Sequence, residues 1–174
     1  MFDNFAFDEV IAHGNLRTQT QLKVILASLI AMQTVNGYTV MLAGALNVGV
    51  TPVEVKEIVY QTVPYAGIAR AFDFLHVTNE ILQSRGVTLP LEGQSTTNPQ
   101  TRHRDGLALQ KSIFGDVIDT MYAKSPQNQL YIQQYLSANC FGDGYPRALN
   151  TFSCLNDMIP ELSQADREHQ TGKP

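Results

Sequence analysis

Apolar residues recur along most of this chain at spacings of three and four, the period of an α-helix that buries one face. From about Thr18, Leu22, Ile25, Leu26 and Leu29 form a stripe, and Val24, Ala27, Ile30 and Ala31 widen it around almost the whole girth. A helix patterned in this way is expected to be central and buried on most sides. Gly37 is expected to end it, with a shorter helix over 38–46 that stops at the turn 47–49, where Gly49 tolerates the left-handed conformation past a helix end. Thr51 then reads as an N-cap, with Pro52 in the first turn and Glu54 three residues after the cap. That is a capping box combined with a preorganised N1 proline. Val55, Ile58, Val59 and Thr62 make the inner face of this helix, while Glu54, Glu57 and Gln61 point elsewhere. Residues 64–67 break it. A longer helix runs from about Ile68 towards Arg85, with Ile68, Ala71, Phe72, Leu75, Thr78 and Leu82 inward.

Ahead of this core, residues 2–12 read as a short helix anchored by Phe2, Phe5 and Phe7, and His13, Gly14 and Asn15 as a turn. Beyond it the pattern changes. Residues 87–102 are rich in Thr, Gln, Pro and Gly with little periodicity, which marks a linker or extended arm. Helical spacing resumes over 106–123, with Phe114, Val117, Ile118 and Met121 on one face. A helix opened by Ser125 and Pro126 carries Ile132, Tyr135, Leu136 and Asn139, and a last short helix covers 147–158. The fold class is therefore all-α.

A repeat links the two halves. GIARAFDFLHVTNEI (67–81) aligns with GYPRALNTFSCLNDM (144–158), pairing Gly67 with Gly144 and Arg70 with Arg147. A weaker match places Phe7 on Phe141, so the second copy lacks, between Phe141 and Gly144, the stretch that holds the central helices of the first. The expected organisation is an N-terminally short first repeat (1–86), a linker (87–102), a partial second repeat (103–160) and a flexible polar tail (161–174).

ALNVGVTPVEVKEIVYQTVPYAGIARA (45–71) resembles the carboxymuconolactone decarboxylase family, which also contains the alkylhydroperoxidase D-like proteins. The likeness begins near Leu16 and runs to about Pro90. It implies an alkylhydroperoxidase D-like helical bundle, here with an incomplete second repeat, and either of two activities. Peroxiredoxin-type members reduce peroxides with a Cys-x-x-Cys pair, a histidine and a glutamate: a thiolate beside a proton relay attacks, and a second thiol resolves the sulfenate. Aligned on the ALNVG turn, the thiol positions fall at Thr34 and Gly37, the histidine at Met41 and the glutamate at Leu22. All four family residues are replaced. Cys140 and Cys154 stand elsewhere, too far apart in sequence to imitate the motif locally, and read as ordinary helix-associated cysteines. The namesake activity removes carbon dioxide from a lactone diacid without cofactor, which calls for a cationic clamp and a proton donor.

Three groups of residues are candidates for chemistry. Arg70 and Arg147, equivalent in the repeat, suit carboxylate binding or, more plainly, salt bridges at helix starts. Asp73, His76, Glu80 and Gln83 share one helical face. A histidine between two carboxylates suits a general base or a weak divalent site, but a solvated face gives the same row. Tyr60 and Tyr65 suit a pocket wall, or core and interface packing. The catalytic candidates are thus Asp73, His76 and Glu80, and the substrate-binding candidates Tyr60, Arg70 and Arg147. No cofactor and no metal site is expected.

Composition narrows the partners. Of 174 residues 44% are hydrophobic and 16% charged, which suits a compact or oligomer-forming globule. Twelve basic and sixteen acidic residues give a net charge of −4 with no basic stripe, so neither nucleic acid nor a membrane is an expected partner. The start carries acids where a signal peptide has lysine or arginine, and the apolar run over 24–32 is shorter than the roughly 20 residues of a membrane span. A cytoplasmic homo-oligomer that takes a small organic acid or lactone is the expectation. The competing reading is a non-catalytic binding or assembly module that kept the bundle.

Overall fold

A computed structural model describes residues 9–13 and 16–152. The chain divides into two compact units, 1–91 and 92–174, with the boundary inside the aperiodic stretch 87–102. Among the described residues every regular element is helical, and the all-α expectation holds.

The first unit contains α1 (Val10–His13), α2 (Thr18–Ala31), α3 (Val35–Asn47), α4 (Pro52–Ala66) and α5 (Ile68–Ser84). Residues 1–8 of the expected first helix, and Gly14 and Asn15 of the turn after it, lie outside the described residues. The central helix is α4, not α2. Val55, Lys56, Glu57, Ile58 and Val59 are all buried. Consecutive residues step about 100° around a helix axis, so five in a row are enclosed on every side. In α2 only Leu26 and Ile30 are fully buried, and Val24 is 56% exposed. Apolar girth did not identify the central helix, because the long side chains of Lys56 and Glu57 can be buried when their polar ends are hydrogen-bonded. Glu57, expected to point away from the core, is enclosed within it.

The capping box forms as expected. The Thr51 hydroxyl accepts from the Glu54 N–H at 3.2 Å, and the Thr51 N–H donates to Glu54 Oε2 at 2.8 Å. Burial pushes the Glu54 carboxyl up. The Thr51 N–H, the Lys23 ammonium at 2.9 Å and the Thr51 hydroxyl together outweigh it, holding the group below its ordinary 4.5.

Three helices of this unit end in the same way. The two N–H groups beyond each C-cap donate back to carbonyls of the last turn, the Schellman arrangement. At α3 Gly49 and Val50 donate to Leu46 and Ala45; at α5 Gly86 and Val87 donate to Gln83 and Leu82. At α2 the left-handed position is taken by Gln33, with φ 59, and Gln33 and Thr34 donate to Ile30 and Leu29. The Gln33 side chain also donates to Ile30 O at 2.7 Å, which helps a residue other than glycine hold that conformation. The break between α2 and α3 therefore precedes Gly37, which lies inside α3. A Cβ there would meet Leu29 Cδ2 at 3.2 Å, so this glycine serves the approach of α2 rather than a turn. Likewise α4 continues through Pro64 to Ala66, and the break falls at Gly67, with φ 87.

On α5 the inward row is Ala71, Phe74, Thr78 and Leu82. Ile68 and Phe72, expected inward, are 59% and 50% exposed. Phe74 meets Tyr38 of α3 edge-on at 5.1 Å. The Thr78 hydroxyl donates to Phe74 O at 2.6 Å, which uses its only proton, so the Tyr38 hydroxyl donates to Thr78 at 2.7 Å.

The second unit contains α6 (Arg102–Phe114), α7 (Val117–Lys124), α8 (Leu130–Tyr135), a π-helix (Leu136–Gly144) and α9 (Tyr145–Thr151). The single helix expected over 106–123 is divided at Gly115, with φ 70, a conformation that ends α6. Of its predicted apolar face Ile118 is buried, whereas Phe114, Val117 and Met121 are exposed. Helix α8 begins later than Pro126, after a turn closed by Gln129 N–H to Pro126 O. Residues 153–158 of the last expected helix lie outside the described residues. Gly67 and Gly144, paired by the repeat, differ in backbone: Gly144, at φ −70, continues a helix that Gly67 would break.

Candidate functional site

Three of the four positions aligned with the thiol site fall at the start of α3, and the fourth is on α2. Thr34 is its N-cap, Gly37 lies in its first turn, Met41 one turn on, and Leu22 on α2 is half-buried. A cysteine pair at 34 and 37 would sit at a helix N-terminus, where the backbone dipoles favour a thiolate. Here a hydroxyl and a hydrogen occupy those places. Of the two cysteines, Cys140 is half-buried in the π-helix of the second unit and free, and Cys154 lies outside the described residues.

The polar row of α5 is on the surface. Asp73, His76 and Glu80 are exposed, and the His76 ring packs edge-on against Phe72 at 4.5 Å. Among the described residues no three His, Cys, Asp or Glu side chains group as metal ligands do. Arg70 is exposed at the start of α5, where its carbonyl accepts from Gln33 Nε2 at 3.3 Å. Arg147 is half-buried on α9, in the other unit.

Tyr60 belongs to a different constellation, between α4 and α5. It is 39% exposed, and the Lys56 ammonium stands 5.1 Å from its ring centroid. Lys56 is 8% exposed and donates to Asn79 Oδ1 at 2.6 Å. Asn79 lies three residues after His76, one turn along the same flank of α5. One position on from Lys56, the carboxylate of Glu57 accepts from Gln61 Nε2 at 2.9 Å. So α4 carries a cation and an anion in successive positions, both enclosed, each with an amide partner. Of the residues in this constellation the sequence reading named Tyr60 as a candidate, and it did not so name Lys56, Glu57 or Asn79. Hydrophobic periodicity assigns charged residues to the solvent face, and no spacing marks a lysine whose partner is an asparagine on the next helix.

The second unit holds a polar network. Ser137, fully buried, donates to Gln110 Oε1 at 2.6 Å and lies 2.8 Å from the Tyr122 hydroxyl. Tyr122 also donates to Gln133 O at 3.0 Å and lies 3.4 Å from His103 Nε2. Arg102 donates to Asn139 and Asp143 of the π-helix, and Thr97 to Gly142 O and Asp143, so the extended segment before α6 is tied to the π-helix. With Ser137 fully buried, this network is cross-bracing rather than an open site.

No described helix is long and apolar enough to cross a membrane. No curated protein and no solved structure matches the chain. A family model does match, over residues 1–80, which take in nearly the whole first unit: α2, α3, α4 and most of α5. The matching model is that of the carboxymuconolactone decarboxylase family, and the likeness lies in that unit, with its ALNVG turn and the capping box behind it.

Proposed function

We propose that this protein binds a small organic acid or lactone on its first unit and works by the cofactor-free, lactone-decarboxylating chemistry of that family, not by thiol peroxidase chemistry. The observation that carries this reading is the start of α3, with Leu22 of α2: Thr34 and Gly37 stand in the thiol positions and Met41 and Leu22 in those of the relay. A peroxidase needs a thiolate and a resolving thiol. A decarboxylase needs a cation to hold the carboxylate and a donor to protonate the carbon left behind. Arg70, Lys56 and His76 are side chains of the first unit that suit those roles.

The test is a pair of assays: carbon dioxide release from a γ-lactone diacid without added cofactor, and peroxide reduction with a dithiol. Release that falls in Arg70→Ala or His76→Ala is the expected result. Peroxide turnover that disappears in the Cys140→Ser, Cys154→Ser double variant would overturn the proposal.

A second reading, a non-catalytic homo-oligomeric module, is supported by apolar side chains exposed on α2, at its C-cap and on α3. Val24 is 56%, Met32 77% and Val40 69% exposed, and a second copy of the chain is a natural cover for them. On this reading neither assay shows turnover, and light scattering at micromolar concentration gives a multiple of the chain mass. A well-folded monomer would exclude it.

A further inference from the structure

We infer that Lys56, with Asn79 and Tyr60, forms a carboxylate-binding site between α4 and α5. The choice of an organic acid as its ligand class rests on the function proposed above; the site itself rests on the geometry. An enclosed ammonium is costly unless an opposite charge or full hydrogen bonding compensates it. Lys23 shows how this chain meets that need, with Glu54 Oε1 at 2.9 Å. Lys56 is more enclosed, at 8% exposure, yet among the described residues no carboxylate stands within ion-pair distance of it. Its partners are one neutral amide oxygen, Asn79 Oδ1, and the face of Tyr60. An ammonium has three N–H donors, so two remain for a ligand.

The neighbouring groups define what fits. Glu57, next in sequence, holds Gln61 rather than Lys56, so the cation is left uncompensated. Tyr60, partly open to solvent, gives the uncharged body of a ligand a ring to pack on beside the cation. The Asn79 side-chain amide, whose oxygen is held by Lys56, presents its N–H groups as further donors. Glu80, next to Asn79 and exposed, disfavours a second negative charge. The site therefore takes one carboxylate of its ligand on Lys56, with the flat or apolar part next to that carboxylate packed on Tyr60 and any second carboxylate held away from Glu80.

Benzoate is a suitable probe, titrated calorimetrically into the full chain and followed by NMR of the lysine side chains. The expected result is saturable binding that weakens about tenfold or more in Lys56→Met, which keeps the stem and removes the charge. Benzamide, isosteric but neutral, should not bind, and in the wild type the Lys56 side-chain signal should move while that of Lys23 stays. No benzoate binding, equal binding of benzamide, or unchanged affinity in Lys56→Met would each overturn the site. If Lys56→Met fails to fold, the wild-type spectra decide. Since the titration needs no turnover, benzoate binding in a protein that releases no carbon dioxide would remove the decarboxylase reading and leave the site standing.

Discussion

The two units are both all-helical, but they are held together differently. In the first, large apolar side chains from several helices are enclosed completely: Leu26, Ile30, Leu42, Val55, Val59, Phe74 and Leu82, with Tyr38 among them. Each fully buried side chain of this size contributes about 1.5–3 kcal/mol. Among its described residues the second unit encloses the apolar Ile113 and Ile118 and the polar Gln110 and Ser137. Its apolar residues Phe114, Val117, Met121, Ile132 and Tyr135 are left at least partly on the surface. Among these described residues backbone proximity does much of the holding. Gly106 of α6 lies against Ser137 O and the Gly142 backbone, Gly142 lies against Arg102 O, and Ser137 is hydrogen-bonded to Gln110 across the same interface and to Tyr122 of α7. One unit can relax around a changed side chain. The other has backbone where a side chain would have to go.

That difference is sharpest in paired glycine substitutions. In Gly106→Ala the new methyl would overlap Ser137 O and the Gly142 amide and stand 2.7 Å from Gly142 Cα, and none of these atoms can turn aside as a flexible side chain can. The expected loss is about 3 kcal/mol or more, and hydrogen exchange should show protection lost across α6 and the π-helix while α4 and α5 keep theirs. In Gly37→Ala the methyl meets only the end of Leu29, at 3.2 Å, which can shift. The helical gain of about 0.5–1 kcal/mol for alanine over glycine offsets that contact, so the net change should be small. Similar losses in the two variants, by urea unfolding, would refute the contrast.

How much of this could be read from the sequence follows the same division. The signals that held are local. Thr51, Pro52 and Glu54 form a capping box because cap, proline and acid fall at fixed offsets, and Gly49 ends α3 because the position is left-handed. The signals that failed depend on what lies across from a residue. Gln33 ends α2 although it is not a glycine, Gly37 sits inside α3 as a contact point rather than a break, and α6 begins ahead of Gly106, at Arg102. Phe72 faces outward because Phe74 takes the inner place beside Tyr38. At the candidate site Tyr60 was named from the sequence, as an aromatic near a helix break, whereas His76, named between carboxylates, lies exposed against Phe72. Lys56 and Asn79 were not named, since their pairing exists only once α4 and α5 are packed. A π-helix leaves no periodic trace either, because its extra residue per turn shifts the register instead of repeating it.

A second way to test the comparison is alkaline pH, which acts on the first unit through Tyr38. Burial pushes this phenol up from 10.0 to about 12, with the Thr78 hydroxyl pulling the other way. The folded pKa is the higher, so the stabilisation is complete below pH 10 and is lost as pH rises through about 12. A shift of this size corresponds to about 2–3 kcal/mol. Tyr38→Phe should remove this part of the pH dependence, at a neutral-pH cost of about 1 kcal/mol for the hydrogen bond to Thr78. If urea midpoints fall between pH 9 and pH 11.5 as steeply in Tyr38→Phe as in the wild type, another group is responsible.

The smallest effect expected is at the capping box, and it has the opposite sign with pH. Thr51→Ala removes the acceptor for the Glu54 N–H and one donor to the Glu54 carboxylate, a loss of about 1 kcal/mol. Because the folded Glu54 pKa is the lowered one, the stability its carboxylate provides is present above its unfolded value and lost as pH falls through the folded value. The loss from Thr51→Ala should therefore shrink on acidification, as the carboxylate it supports becomes neutral in both proteins. Lys23→Met, which removes the ion pair at 2.9 Å, should show the same convergence, whereas Ser137→Ala in the second unit should cost the same at pH 7 and at acid pH. Convergence in all three would mean that acid loosens the whole molecule rather than this cap. Convergence in the first two alone would show that the start of α4, the helix on which Lys56 and Tyr60 stand, is held in part by a charge that the second unit does not share.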